Sequence, residues 1–269
     1  MVKFLFWNLN RKNIEPLIAS IARQRDVDVI ILAECESSRK VLGAINQSNR
    51  RKYNYHVDAV KRIEIFSRFP RPYLTSLGSY NGLNFRKLMT PIGAEILLVS
   101  AHLSSKFHMS EADQMFECTR LVSKIQEFED RLGHRRTVVV GDLNMKPFEL
   151  GMVASHGFHA VSSRQIAKRM TREIKGETYH FFYNPMWNCL GDQNSGPPGT
   201  YYYDTSSPIN FYWNTFDQLL IRPSLLKNFV GNDLEIITFA NGINLLNTDG
   251  KPNMNLASDH LPVFFTLYL

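Results

Sequence analysis

Short apolar runs bounded by polar and turn-forming residues recur along the chain. Residues 2–7 and 27–33 (VDVIILA) are nearly unbroken hydrophobic runs, as expected of strands buried on both faces. Residues 94–101 (AEILLVSA), 137–140 (TVVV, leading into Gly141), 216–221 and 261–267 read the same way. Shorter strands are predicted at 53–57, 63–67 and 73–77, punctuated by Pro70 and Pro72. Helical spacing predicts a helix over 14–25, with Asn13 as N-cap and Leu17, Ile18 and Ile21 inward, and a second over 37–45. Ser110 caps a long helix reaching residue 132, with Met115, Thr119, Val122, Ile125 and Phe128 at roughly helical spacing. Residues 164–175 read as a basic amphipathic helix. Arg164, Lys168, Arg172 and Lys175 share one face and Ile166, Met170 and Ile174 the other, a face suited to a phosphate backbone or simply to solvent. Between 176 and 214 the periodicity disappears in a stretch rich in Gly, Pro, Asn and Tyr, long for a plain loop and of a kind that tends to be functional or mobile.

The chain has 269 residues, 44% of them hydrophobic, which is enough for a substantial core. No linker, internal repeat or low-complexity tract argues for a second domain, so residues 1–269 are read as one. The net charge of +6 and a pI near 9.2 suit an anionic partner: nucleic acid, a lipid headgroup or another phosphate ester. Cys35, Cys118 and Cys189 are odd in number and widely spaced, which points to neither a disulfide framework nor a zinc site and fits a reducing cytoplasm. No apolar stretch approaches the ~20 residues of a membrane span, so stable membrane insertion is not expected. The run at 2–7 is broken by Asn8, Asn10, Arg11 and Lys12 too soon for a signal peptide. No repeated apolar surface pattern demands an oligomer, and a monomer is expected.

The polar residues are informative through their positions. Asn8 and Asn10 follow the first strand, Glu34 the second, His102 the run AEILLVSA, and Asp142 and Asn144 the run TVVVG. Asp217 opens the run DQLLI, and Ser258, Asp259 and His260 directly precede LPVFFTL. Each alone reads as a turn residue or a loop carboxylate. Six strand ends carrying Asn, Glu, His or Asp are another matter, because one rim of a sheet sandwich would bring them together. Carboxylate and amide oxygens are hard ligands suited to Mg²⁺ or Mn²⁺. Histidine supplies proton transfer or a donor to a phosphate oxygen.

These residues resemble the endonuclease/exonuclease/phosphatase superfamily, which includes DNase I-like nucleases. The resemblance rests on Trp7-Asn8-Leu9-Asn10, Ala33-Glu34, Ile65-Phe66-Ser67-Arg68-Phe69-Pro70, Ala101-His102-Leu103, Gly141-Asp142-Leu143-Asn144, Trp213 with Asp217, and Ser258-Asp259-His260, in the family's order across nearly the whole chain. It implies an α+β fold, a four-layer αββα sandwich of two packed mixed β-sheets flanked by helices. The alternation of strands and helices alone would point to a doubly wound parallel sheet. It further implies Glu34 as principal metal ligand, helped by Asn8 and Asp259, with Mg²⁺ as the ion and Mn²⁺ able to substitute. Asp142 would orient or deprotonate the attacking water, with Asn144 its partner at the phosphate. His260 would contact the scissile phosphate, held by Asp217, and His102 would be an acid near the leaving oxygen. Asn10 stands where some members have an aspartate, which leaves one- or two-metal chemistry open.

Arg11 and Lys12, directly after the first motif, and Asn10 are candidates for substrate binding; Lys106, just beyond His102, either reaches substrate or faces water. The aromatics of 176–214 either stack on bases or pack the irregular segment onto the body. The activity expected is metal-dependent hydrolysis of phosphodiester bonds in DNA or RNA. The same motifs would serve a phosphatase or phosphodiesterase acting on an inositol phosphate or sphingomyelin. A non-enzymatic binder would show substitutions at Glu34, Asp142, Asn144, Asp259 or His260, and none is present. No P-loop, GxSxG elbow or HExxH motif occurs.

Overall fold

The buried runs assemble into two mixed sheets. The computed structural model describes residues 1–57, 62–105, 110–191 and 196–269. In chain order the elements are β1 (Val2–Asn8), α1 (Glu15–Gln24), β2 (Val29–Ala33), α2 (Ser38–Ser48), β3 (Asn54–His56), β4 (Ile63–Ser67), β5 (Leu74–Tyr80), β6 (Leu83–Met89), β7 (Glu95–His102), α3 (Glu111–Leu132), β8 (Thr137–Asp142), α4 (Leu150–Val153), β9 (Ala160–Val161), α5 (Arg164–Ala167), β10 (Thr171–Ile174), β11 (Glu177–His180), β12 (Phe182–Tyr183), β13 (Tyr201–Tyr202), β14 (Trp213–Asn214), β15 (Asp217–Ile221), β16 (Leu234–Ile236), β17 (Phe239–Ala240), β18 (Ile243–Asn244) and β19 (Val263–Leu267). One sheet has the order β16-β19-β1-β2-β4-β3 and the other β5-β6-β7-β8-β15-β12-β9.

Strand periodicity explains the layering. Side chains two apart in a strand share a face. Ile96 and Leu98 of β7, Val138 and Val140 of β8, and Leu219 and Ile221 of β15 join the core shared with β1 and β2. Their alternates Leu97, Val99, Val139 and Leu220 face Cys118, Leu121, Ile125 and Phe128 of α3 in a second core. On the other side, Leu17, Ile18 and Ile21 of α1 and Val41 and Ile45 of α2 belong to the first core. The result is α+β, two packed mixed sheets with helices outside, as the resemblance implies. Among the described residues only β1–β2, β7–β8 and β9–β12 pair in parallel within the two sheets, so the doubly wound parallel sheet is excluded.

Three local expectations are corrected. Ile14, not Asn13, caps α1, with no side-chain bond. Pro16 in the first turn lacks an N–H and so leaves one fewer donor to satisfy. Residues 164–175 are not one helix: α5 ends at Ala167, Met170 turns through φ +70°, and β10 folds back antiparallel on β11. Lys175 (φ +51°) and Gly176 (φ +84°) form the tight turn between them, and positive φ at both positions matches the right-handed twist of a hairpin. The basic helical face therefore does not exist. Finally, β6 was missing from the pattern because its inward positions Asn84 and Arg86 are polar yet buried. Ser110 and the long helix are as expected, the cap being a reciprocal box with Asp113.

Candidate active site

Strand direction gathers the polar ends. β1 and β2 run parallel with Asn8 opposite Ala33, so Glu34 lies just beyond the same edge. β7 and β8 run parallel with His102 opposite Asp142. β15 is antiparallel to β8, which sets its first residue, Asp217, opposite Asp142. β19 is antiparallel to β1, so the residues preceding it return to the end of β1, where Ser258 Oγ donates to the Asn8 carbonyl at 2.7 Å. The Trp7 indole donates to the His260 carbonyl at 2.8 Å and locks the same junction. Gly141 permits the approach of β7 and β8: a Cβ there would lie 2.0 Å from the Ala101 carbonyl oxygen.

Asp142 forms the floor, 2% exposed. Its Oδ2 accepts from Asn8 Nδ2 at 3.0 Å and its Oδ1 from the Asn144 backbone N–H at 2.9 Å, which fixes the carboxylate from both sides. Asn144 Nδ2 donates to the Leu103 carbonyl at 2.8 Å. Beside it, His260 Nδ1 and Asp217 Oδ2 are 2.8 Å apart, with Asp217 fully buried. One donor atom from each of Asp142, Asp217 and His260 lies within 4.8 Å of the others. Asp217 Oδ2 binds the imidazole and both Asp142 oxygens accept hydrogen bonds, while the buried Asp217 Oδ1 has no hydrogen-bond partner among the described residues. Burial opposes the charged form of His260, yet the Asp217 carboxylate and its hydrogen bond, with Asp142 and Asp259 nearby, prevail and raise it to about 10. Burial, reinforced by the charge on Asp217, raises the Asp142 carboxyl above the usual range, while the His260 and His102 charges and the Asn144 N–H act against it.

A cleft of about 970 Å³ opens above this floor, lined by Asn8, Asn10, Arg11, Glu34, His102 and Asp142, with Asn144, Asp259 and His260 completing the polar set. Glu34 takes φ +48°, a left-handed conformation costing of order ~1–3 kcal/mol for a side chain of this kind, and Arg11 N–H donating to its carbonyl at 3.1 Å helps hold it. Its carboxylate has two long ion-pair contacts, His102 Nε2 at 3.5 Å and Arg11 Nε at 4.0 Å. Lone pairs therefore remain for a cation. Asp259 adds a second cleft-facing carboxylate. Asn8 Oδ1 already accepts from Asn10 N–H at 3.1 Å, leaving its other lone pair. Two carboxylates and an amide oxygen form a hard donor set that fits Mg²⁺ or Mn²⁺.

Asn10 and Arg11 reach the cleft, whereas Lys12 is exposed and outside the described lining. Lys106 lies outside the described residues. Thr200, Arg62 and Lys146 carried no signal in the sequence, whereas Tyr201, Tyr203 and Phe211 belong to the aromatic stretch it marked. Thr200 Oγ1 accepts from Asp217 N–H at 3.2 Å, and the Tyr201 ring stands 4.7 Å from that of His260. Arg62, Lys146, Tyr203 and Phe211 also line the cleft. Only the aromatic density of the stretch after residue 176 hinted at any of these.

No protein-family model matches the sequence, and neither does any curated protein. The fold does match solved structures across the whole chain. An endonuclease/exonuclease/phosphatase family protein from Leptotrichia buccalis C-1013-b matches with TM-score 0.57, 12% identity and 100% of each chain covered. An AP endonuclease from Archaeoglobus fulgidus gives TM-score 0.57 at 14% identity, again over 100% of both chains. A Neisseria 3′ phosphatase, NExo, bound to product DNA hairpin, gives 0.56 at 13% identity over 99% of each. The resemblance read from the motifs thus holds at the level of the fold: this chain has the DNase I-like fold of the endonuclease/exonuclease/phosphatase proteins.

Proposed function

We propose that the chain hydrolyses phosphodiester bonds in nucleic acid, DNA or RNA, with Mg²⁺ or Mn²⁺ as its cofactor. The observation that carries this reading is the doubly anchored, buried Asp142 beside the His260–Asp217 pair, at the floor of a cleft lined also by the Glu34 and Asp259 carboxylates. A net charge of +6 and the cleft-lining Arg11, Arg62 and Lys146 favour a polyanionic substrate.

Glu34 and Asp259, with the Asn8 amide oxygen, would hold the ion, which when bound neutralises charge developing on the phosphate and the leaving oxygen. Asp142 orients a water and takes its proton, and the burial that raises its carboxyl above the usual range makes the carboxylate a stronger base. As the water oxygen bonds to phosphorus, the bond to the leaving oxygen breaks opposite it. The His260 imidazolium, kept charged and oriented by Asp217, donates to a non-bridging phosphate oxygen, and Asn144 lies beside Asp142 to contact the same group. His102, on the Glu34 side of the cleft, supplies the proton that the leaving oxygen takes up.

The test is a substrate panel of single- and double-stranded DNA, RNA, an abasic-site duplex, inositol phosphates and sphingomyelin, assayed with Mg²⁺, Mn²⁺ or EDTA. Polynucleotide cleavage that needs the metal and is lost in Glu34→Ala and His260→Ala is expected. Turnover of small or lipid esters alone, or cleavage indifferent to EDTA, would overturn the reading.

A further inference from the structure

One wall of the cleft plays no part in the chemistry above. Tyr203, Ile209 and Phe211 line it, on the segment joining β13 to β14. The Phe211 side chain is 51% exposed and Phe148 39%. The two rings lie 5.7 Å apart, tilted by 43°, and Phe148 in turn meets Trp187 edge-on at 6.2 Å. Lys146, four residues beyond the catalytic floor in sequence, places its ammonium 3.9 Å from the Phe211 ring centre while pairing with Glu149 at 3.3 Å. A group of aromatic rings held out in a polar cleft, supported from behind and carrying a cation, forgoes burial that the fold would otherwise gain.

The position of these rings selects the occupant. Tyr203 and Phe211 line the same cleft as Asp142 and His260, so a substrate lying over those residues reaches the Phe211 ring. A nucleobase has a planar apolar face that stacks on an aromatic ring whatever its identity. Inside a duplex both faces are already covered by neighbouring pairs, so a base that stacks here has left its helix.

We propose that Phe211, with Lys146 over one face and Phe148 beside it, is the stacking surface for an unpaired nucleobase in the cleft, so that the substrate class is single-stranded nucleic acid or an unpaired end. This rests on the nucleic-acid reading above.

Binding is measured by fluorescence anisotropy on the Asp142→Asn protein, which holds substrate without turnover. The ligands are a labelled single-stranded oligonucleotide, the same sequence as duplex, and the same strand carrying abasic residues. The base-bearing single strand binds more tightly than either other form, by roughly 5- to 150-fold over the abasic strand. Phe211→Ala removes that advantage and leaves the abasic strand unaffected; Phe211→Trp retains it and Phe211→Leu does not. Tighter binding of duplex, equal binding of the abasic strand, or equal weakening of all ligands by Phe211→Ala overturns the proposal. Cleavage of polynucleotides by the unaltered enzyme, measured in parallel, separates the two readings. With cleavage intact and the stacking signature absent, only the stacking surface is wrong; with no polynucleotide bound and anionic phospholipid vesicles bound instead, both fall.

Discussion

The Tyr201 and His260 rings stand 4.7 Å apart at 41°, and the two residues also form an isolated antiparallel backbone bridge. Thr200, the preceding residue, accepts from Asp217 N–H through its hydroxyl at 3.2 Å and from Leu261 N–H through its carbonyl at 2.8 Å. One dipeptide thus holds both ends of the His260–Asp217 pair. An aromatic contact of this kind contributes about 0.5–1.5 kcal/mol. Tyr201→Leu is therefore expected to lower kcat by roughly 2- to 10-fold with little change in KM, while Tyr201→Phe, which keeps the ring, stays near the parent. Full turnover in Tyr201→Leu would remove the positioning role.

Asp217 acts on the imidazole by charge and by the hydrogen bond at Nδ1. Asp217→Asn preserves shape but removes the charge that keeps the ring protonated and correctly oriented. By analogy with Asp–His pairs in other hydrolases, kcat should fall on the order of 10²- to 10⁴-fold. Steady-state rates with circular dichroism as the folding check decide it; a loss below 10-fold would mean that His260 needs no carboxylate partner.

How far the site was legible depended on which residues made it. Asn8, Glu34, Asp142 and His260 stood out because each interrupts a hydrophobic run at its end, and strand direction then brings those ends together. Nothing in periodicity distinguishes two packed mixed sheets from one parallel sheet, since either buries strands on both faces. That distinction came from the motifs' resemblance to a family. The aromatics of 176–214 were legible as a group, but which of them line the cleft was not, because cleft walls on irregular backbone have no repeat to read. Asn81-Gly82, a dipeptide that marks two-residue hairpin turns, joins β5 to β6 with φ of +40° and +82°, whereas Lys175-Gly176, which joins β10 to β11, carries only the glycine as a signal.

His56 offers a pH test remote from the site. It is 4% exposed, its Nε2 lies 2.8 Å from Ser67 Oγ, and burial together with the Arg86 and Arg71 charges lowers its pKa to about 4. The unfolded chain takes up a proton near pH 6.5 that the folded protein refuses until about pH 4. Stability from this group is therefore fully present above pH 6.5 and lost as pH falls towards 4, with a slope approaching ~1.4 kcal/mol per pH unit in that window. His56→Gln should flatten the urea-derived stability profile there by about one proton. An unchanged slope would mean that His56 titrates normally in the folded state.

A buried ion pair ties α3 to the end of β15. Arg222 Nε donates to Glu129 Oε1 at 2.8 Å and its Nη2 to Oε2 at 3.1 Å, with the two side chains 1% and 0% exposed. Thr137 adds a hydrogen bond to Oε1 at 2.6 Å, and Nη1 reaches the His180 and Phe181 carbonyls at 3.1 Å each. The pair is thus almost completely hydrogen-bonded, the condition under which a buried ion pair offsets its own desolvation. Glu129→Leu removes the anion and leaves the guanidinium in the interior against the Phe182 ring, expected to cost about 3–5 kcal/mol in denaturant unfolding. Glu129→Leu combined with Arg222→Met removes both charges and should recover much of that loss, because the main penalty in the single variant is the unpaired cation. If the double variant were as unstable as the single, the geometry of the pair, rather than charge compensation, would be what holds α3 to this sheet.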